Sequence, residues 1–443
     1  MIISKPYVVA ENNENGAFSK ICSDIEFSDK TKNTLFFTVP KAFEEYLTLD
    51  RCDGFLIGLL PLAISKNEPI KCMAPVSEKL LYNINSLYLK TLLSHAQHTE
   101  NVKIEAKSTN TFYNPTSNAT AISAGVDSFY SIFSNLSNQN TKSFNLTHLT
   151  FFNVGALGYY GGSEARKRFF DKCKVYGELS EKLGLTFLPV DSNISEILMM
   201  DFNVTVTFRC FAAVLVLQKL FRNYYFSSSR SLDSFMIDLS VSEGYDLLNC
   251  YALSTENTTF FTTGSEATRL EKLKEISKYA ITKDYLNVCD SGSLHNCGNK
   301  CLKCLRTELE LYSLNLLDEY KKVFDVDDFK KHIAGRVAKI IEYIPYSKME
   351  GKWFKECKAE AKRNNVHIPF ASYIIALPGY IKFSFMAILK KSKVLRTLVH
   401  KRINIHPHSG WYFIFGHSPN LYWRRTSALF CWPASHASIT YYP

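Results

Sequence analysis

Residues 118–137 place three patterns in direct succession, and that succession restricts the fold more than any other stretch of the 443 residues. A short run suited to a buried strand leads into a turn of small residues, Ser123-Ala124-Gly125-Val126-Asp127-Ser128. Phe129, Ile132, Phe133 and Leu136 then recur at helical spacing. Strand, turn and helix in this order aim backbone N–H groups and the positive end of a helix at one spot, which suits a phosphate. Ser123 and Ser128 add hydroxyls at its two ends, and Gly125 removes a side chain where an anion comes close.

The same alternation continues downstream. Leu146–Val154 reads as a strand, Glu164–Leu183 as a helix, Leu185–Val190 as a strand, Thr207–Arg222 as a long helix and Tyr224–Ser227 as a strand. Successive βα units predict an α/β domain, a doubly wound parallel sheet with helices on both faces and ligands at the carboxyl ends of the strands. The 123–128 turn and Gly155 both fall at such ends. Residues 254–276 read as a strand, a turn at Gly264 and an amphipathic helix from about Ser265 that carries Arg269 and Lys272.

Upstream, residues 1–115 form an α/β accessory region without a catalytic motif. Strands are expected at Thr34–Pro40, Pro69–Met73 and Val102–Ala106. Asp53–Ala63 reads as an apolar helix interrupted by Pro61, and Ser77 as the N-cap of a further helix. The predicted division is 1–115, 116–330 and a mostly helical 331–443.

Four of the 12 cysteines, Cys289, Cys297, Cys301 and Cys304, fall close together. Soft thiolates at this spacing suit tetrahedral Zn²⁺ in a closed structural site, with Gly298 turning the chain around the ion and Lys300, Lys303 and Arg306 offsetting the charge. His295 could stand in for Cys289, or Cys301 and Cys304 could form a redox pair. Hydrophobic residues make up 46% of the chain, so disorder is excluded as its general state. The net charge of +10 permits nucleic acid as a partner without favouring it. The start, Met1-Ile-Ile-Ser-Lys-Pro-Tyr, has no basic stretch followed by a long apolar core, so a cytoplasmic chain with reduced cysteines is expected. Neither a Walker-type Gly-Lys-Ser/Thr loop nor a Gly-x-Ser-x-Gly elbow occurs.

Ser123–Ser128 resembles the Ser-Gly-Gly-x-Asp-Ser signature of the PP-loop ATP pyrophosphatases, with Ala124 in place of the first glycine. Together with the cysteines, residues 116–320 resemble 7-cyano-7-deazaguanine synthase and related PP-loop proteins, although the gap between Cys297 and Cys301 is one residue longer than in that family. The resemblance implies an adenine nucleotide alpha hydrolase-like fold, ATP, Mg²⁺ and Zn²⁺. It implies an adenylating ligase that releases pyrophosphate, activating a carboxylate or amide for a nitrogen nucleophile. Ser123, Ala124, Gly125, Val126, Asp127 and Ser128 would hold the phosphates, with Asp127 and Ser128 as catalytic groups. Gly155 would let the adenine approach, and Arg269 or Lys272 would meet phosphates. The acceptor would be a small molecule or peptide with a carboxylate, an ammonia-donor protein could take part, and the chain could form a homodimer. A tRNA sulfurtransferase using a cysteine pair and a nucleotide-binding module without turnover are the rivals.

In the last third, Glu308–Tyr320 and Ile333–Tyr346 read as helices. Ile368–Leu389 is apolar but broken by Pro378-Gly379 and Lys382, hence a buried helix rather than a membrane span, with a membrane-surface segment backed by the cations of Lys390–Arg402 as the other reading. Ser409–Pro443 holds three of the four tryptophans.

Overall fold

The computed structural model describes residues 1–391 apart from 14–15, 97–100, 138–140, 290–294, 299–300 and 347. It divides into two compact units, Met1–Asn287 and Val288–Pro443. The first unit begins with β1 (Ile2–Ile3), β2 (Tyr7–Asn13), β3 (Gly16–Glu26), β4 (Lys32–Pro40), α1 (Asp53–Lys66), β5 (Ile70–Cys72) and β6 (Val76–Ser77). There follow α2 (Glu78–Asn83), α3 (Leu89–Ser94), β7 (Ile104–Glu105) and β8 (Ser108–Thr109). Alternating elements come next: β9 (Ser117–Ala121), α4 (Val126–Asn135), β10 (His148–Asn153), α5 (Ser163–Lys182) and β11 (Thr186–Ser192). The unit closes with α6 (Ile194–Leu198), α7 (Phe202–Leu215), β12 (Phe221–Ser227), α8 (Asp246–Leu253), β13 (Thr259–Thr263), α9 (Arg269–Ile276) and α10 (Ala280–Tyr285).

The main sheet runs in the order β13-β12-β9-β10-β11-β4-β3-β1-β5-β7, with β2 paired to β3. The block from β13 to β11 is parallel throughout. β11 meets β4 antiparallel, so strands from residues 1–115 and from the βα-repeating region share one sheet. Within the parallel block β9 comes first in the chain and lies in the middle, with β10 and β11 on one side and β12 and β13 on the other. Ligand crevices in open α/β sheets lie where the strand order reverses in this way, outside the carboxyl ends. The turn that leaves β9 is therefore at the reversal.

Helix α1 is buried from Asp53 to Ala63 and forms the centre of the core. A Cβ on Gly54 would lie 2.8 Å from the Ala212 carbonyl, and one on Gly58 would lie 3.2 Å from the Ala212 Cβ, so the two glycines admit α7 at close range. The expected break at Pro61 does not occur; the helix runs on to Lys66. Burial on all sides outweighs the roughly 3 kcal/mol that an internal proline costs. Ser77 stands at the N-cap of α2 but does not cap it. Its hydroxyl goes instead to the buried Asp53, whose carboxylate also accepts from Ser77 N (2.8 Å) and Gln218 Nε2 (2.8 Å).

Two boundaries move. The long helix starts at Phe202, capped by Asp201 accepting from Asn203 N at 2.8 Å, and ends at Leu215. The aromatic run from Phe221 then joins the sheet. Helix α9 starts at Arg269 and not near Ser265, because Thr268 and Glu271 form a reciprocal capping box.

In the second unit, α11 (Leu302–Ser313), α12 (Val326–Lys331), α13 (Ile333–Tyr343), α14 (Lys348–Arg363) and α15 (Ala371–Lys391) follow the cysteines. Helix α15 continues unbroken through Pro378-Gly379. It is not the buried helix expected: only 11% of the window Ala371–Ile388, mean hydropathy 1.4, is buried. It is the one helix among the described residues with the length and composition to cross a membrane. The aromatic stretch 409–443 and the cations beyond Lys391 lie outside the described residues.

Candidate functional site

The turn after β9 is held by its own side chains. Ser128 Oγ accepts the Ser123 N–H at 3.0 Å and donates to the Ala121 carbonyl at 3.0 Å, which staples the end of β9 to the first turn of α4. Tyr176 of α5 donates to the Ser123 carbonyl (2.9 Å), and Asn287 N to the Ala124 carbonyl (2.8 Å). The Ser128 hydroxyl is thus a brace for the turn, its proton already committed. Ser123 is exposed; its Oγ accepts from Gly125 N at 3.4 Å and keeps its own proton for a ligand.

The left-handed residue of the turn is Ala124, at φ +56°, and it is buried. Gly125 is extended, at φ −82° and ψ 173°, and forms the N-cap of α4. The turn geometry that a glycine would adopt freely is adopted here by an alanine, at a cost of about 1 kcal/mol. Helix α4 has no side-chain cap, so the N–H groups of its first turn remain the donors of an uncapped helix start.

Opposite this start lie two cations from α9. Lys272 Nζ, 2% exposed, donates to Asp127 Oδ1 at 2.8 Å and to the Ser228 carbonyl at 2.7 Å. Arg269 Nη1 lies 3.6 Å from Asp127 Oδ2. Because the capping box fixes Arg269 as the first helical residue, Lys272 follows three positions later on the same face. Gly264, at φ +85°, makes the room: a Cβ there would sit 2.9 Å from Lys272 Cε. Tyr130 of α4 lines the other side, its ring 6.0 Å from Lys272 Nζ and its hydroxyl on Glu266 (2.9 Å). Two cations and a helix start thus meet at the Asp127 carboxylate.

Gly155 has a different part. At φ +129°, its absent Cβ would be 2.4 Å from Arg209 Nη1 and 2.6 Å from Phe202 Cδ2. Buried Arg209 donates to the carbonyls of Val154 (3.1 Å), Tyr159 (3.1 Å) and Met200 (2.9 Å). These side chains fill the space that a Cβ at Gly155 would take, so close packing alone requires the glycine.

Sequence patterns also missed a polar group at the carboxyl ends of β10 and β11. Asn153 Nδ2 donates to Asp191 Oδ1 (2.6 Å), and Arg166 bridges Asp191 Oδ2 (3.2 Å) and Glu196 Oε1 (2.8 Å). Burial pushes the Asp191 carboxyl up from its ordinary range, against the pull of Asn153 and Arg166. The only signal was position: each residue ends a strand or starts a helix beside it. The surface depression of about 440 Å³ bordered by Glu78, Tyr82, Asn85 and Ser108 shares no residue with either group.

In the second unit, the sulfurs of Cys289, Cys297, Cys301 and Cys304 all lie within 4.8 Å of one another and could hold a metal ion. The Cys289–Cys301 and Cys297–Cys304 pairs are 3.8 and 3.6 Å apart. Four sulfurs at about 2.3 Å from a tetrahedral zinc ion are about 3.8 Å apart. Gly298 takes the left-handed turn, φ +59°. Cys301 caps α11, its sulfur accepting the Cys304 N–H at 3.4 Å, and Asn296 ties the loop to Val288 N (2.9 Å) and the Val323 carbonyl (2.9 Å). Contact with Cys289 pushes the Cys301 thiol up to about 12, and the Cys304 thiol is raised first by Cys289 as well. Bare thiolates repel at this range, and a dication removes the penalty. Exposed His295 is not among the converging groups. Arg306 lies over the Trp353 ring at 4.8 Å, and Lys300 lies outside the described residues.

Comparison with protein-family models, with curated proteins and with solved structures gave no match.

Proposed function

We propose that the first unit is an ATP-dependent adenylating enzyme of the PP-loop type, with the doubly wound nucleotide-binding fold that type implies. The observation that carries this reading is the meeting of Asp127, Arg269 and Lys272 at the start of α4, beside a turn with one left-handed residue and a free serine hydroxyl. Residues 145 positions apart converge on a helix start that has no side-chain cap. The donor set fits a polyphosphate: N–H groups from Gly125 to Ser128, the Ser123 hydroxyl, and the two cations. Ser128 holds the turn rather than touching the ligand. Lys272 and Arg269 would turn from Asp127 toward the β- and γ-phosphates, and the freed carboxylate would then be available to Mg²⁺. A carboxylate or amide oxygen of the acceptor would displace pyrophosphate from the α-phosphorus, and a nitrogen nucleophile would displace AMP. The chain's part is positioning and charge stabilisation.

The reading without turnover rested on Ala124 in place of glycine; Ala124 takes the glycine-like conformation, which removes that support. The convergence of all four cysteine sulfurs within 4.8 Å favours metal ligation over sulfur transfer by Cys301 and Cys304. Pyrophosphate–ATP exchange, measured across a panel of carboxylates and amides, tests the proposal. Exchange that depends on one acceptor and is lost in Lys272→Met supports it. ATP turnover unaltered by Lys272→Met refutes the assignment.

A further inference from the structure

Helix α15 carries a feature independent of the nucleotide reading. Ile374, Leu377, Ile381, Phe385 and Ile388 recur every three or four residues and share one face of the helix. Each is more than half exposed, from 56% at Leu377 to 63% at Ile374. The opposite face is the packed one. Ser372 and Ala376 are fully buried there, the Phe383 ring packs at a tilt against Tyr343 of α13 with centroids 4.4 Å apart, and the Glu342 side chain of α13 lies against Gly379. A continuous apolar stripe about 21 Å long facing water demands an occupant.

The sequence indicates which one. Directly after the stripe come Lys390, Lys391, Lys393, Arg396, Lys401 and Arg402, with no acidic residue among them. We infer that α15 lies in the surface of an anionic lipid bilayer, its stripe in the acyl boundary and the following cations on the headgroups. A second copy docked on the same stripe would bring the same cations with it. A span is the poorer fit, because α13, which packs along α15, carries Arg336, Lys339 and Glu342 and could not follow it through hydrocarbon. Lys382, beside the stripe, has a stem long enough to reach the headgroups.

Flotation of the full-length protein with vesicles tests this. The expected result is capture by phosphatidylcholine vesicles containing phosphatidylserine, at least tenfold weaker capture by phosphatidylcholine alone, and release by alkaline carbonate. Ile381→Glu/Phe385→Glu should lower capture at least tenfold with an unchanged melting curve, since both positions face solvent. Replacing Lys390, Lys391 and Lys393 with Gln should lower it on the order of a hundredfold. Three outcomes overturn the inference: no capture by anionic vesicles, retention through carbonate extraction, or a stable dimer that the Ile381→Glu/Phe385→Glu variant dissolves.

Discussion

The turn at 123–128 and the cysteine cluster at 289–304 are two candidate sites made in opposite ways. The cysteine site is local: its four cysteines come from one short stretch, and a left-handed glycine with one helix cap brings their sulfurs together. The anion site is assembled: α4 supplies the turn and the carboxylate, α9 the cations, β12's end a carbonyl and α5 a tyrosine. A local site of this kind would draw its stability from a bound ion, since thiolates this close repel without one. An assembled site depends on the fold, and its own ion pair is part of the core.

Perturbing each site separately breaks or sharpens that contrast. The largest effect is expected from Cys304→Ser, or from a strong chelator. Metal measured by mass spectrometry should fall from about one ion per chain to none, and residues 288–391 should become protease-sensitive, while pyrophosphate binding by the first unit persists. Loss of both together would mean the two sites are not separate.

Next comes Asp127→Ala, which strands the Lys272 ammonium at 2% exposure with a single carbonyl. Breaking such a pair costs about 3 kcal/mol, read as a lower urea midpoint. Asp127→Asn/Lys272→Met should recover most of that loss without recovering anion binding. A neutral Asp127→Ala would show that the pair is not part of the core.

A smaller effect isolates the second unit from its metal. Glu308 of α11 is fully buried, with no hydrogen-bond partner for either carboxylate oxygen among the described residues. Burial pushes its carboxyl up to about 8, eased by Arg336 and reinforced by Asp328 and Asp325. The folded chain therefore keeps a proton that the unfolded chain releases above its ordinary value near 4.5. Stability should fall as pH rises toward 8, by on the order of 1 kcal/mol per unit. Glu308→Gln should flatten that slope with metal content unchanged; an identical slope would contradict the account.

The smallest effect is Ala124→Gly. Relief of the left-handed alanine, about 1 kcal/mol, is offset by the greater freedom of glycine when unfolded. The melting temperature should barely move and pyrophosphate should still bind. Loss of binding would mean that the alanine side chain has a role beyond filling the turn.

This contrast also explains what could be read from the chain. Cysteine spacing is a one-dimensional signal and marks all four cysteines that converge. Strand and helix periodicity predicted β9, α4, β10, α5 and β11 to within a few residues. The Arg269 and Lys272 assignments came from resemblance; nothing local distinguishes them from a solvated helix face, and the capping box at Thr268 and Glu271 was the overlooked signal that sets which way they point. Gly155 packs against Arg209, 54 positions away, and no local pattern announces such a partner. Local propensity reads Pro61 and Pro378-Gly379 as breaks; in α1, packing decides otherwise. For the exposed face of α15 no such packing is present, and its continuity through Pro378 has no physical account beyond its contact with α13.

The most direct measurement is calorimetric titration of pyrophosphate into the wild-type chain and into Lys272→Met. One equivalent bound by the wild type, and affinity at least roughly tenfold weaker in the variant, is the predicted result. No binding by the folded wild type, or equal affinity in both, would contradict the claim that this turn and its buried lysine form a polyphosphate site.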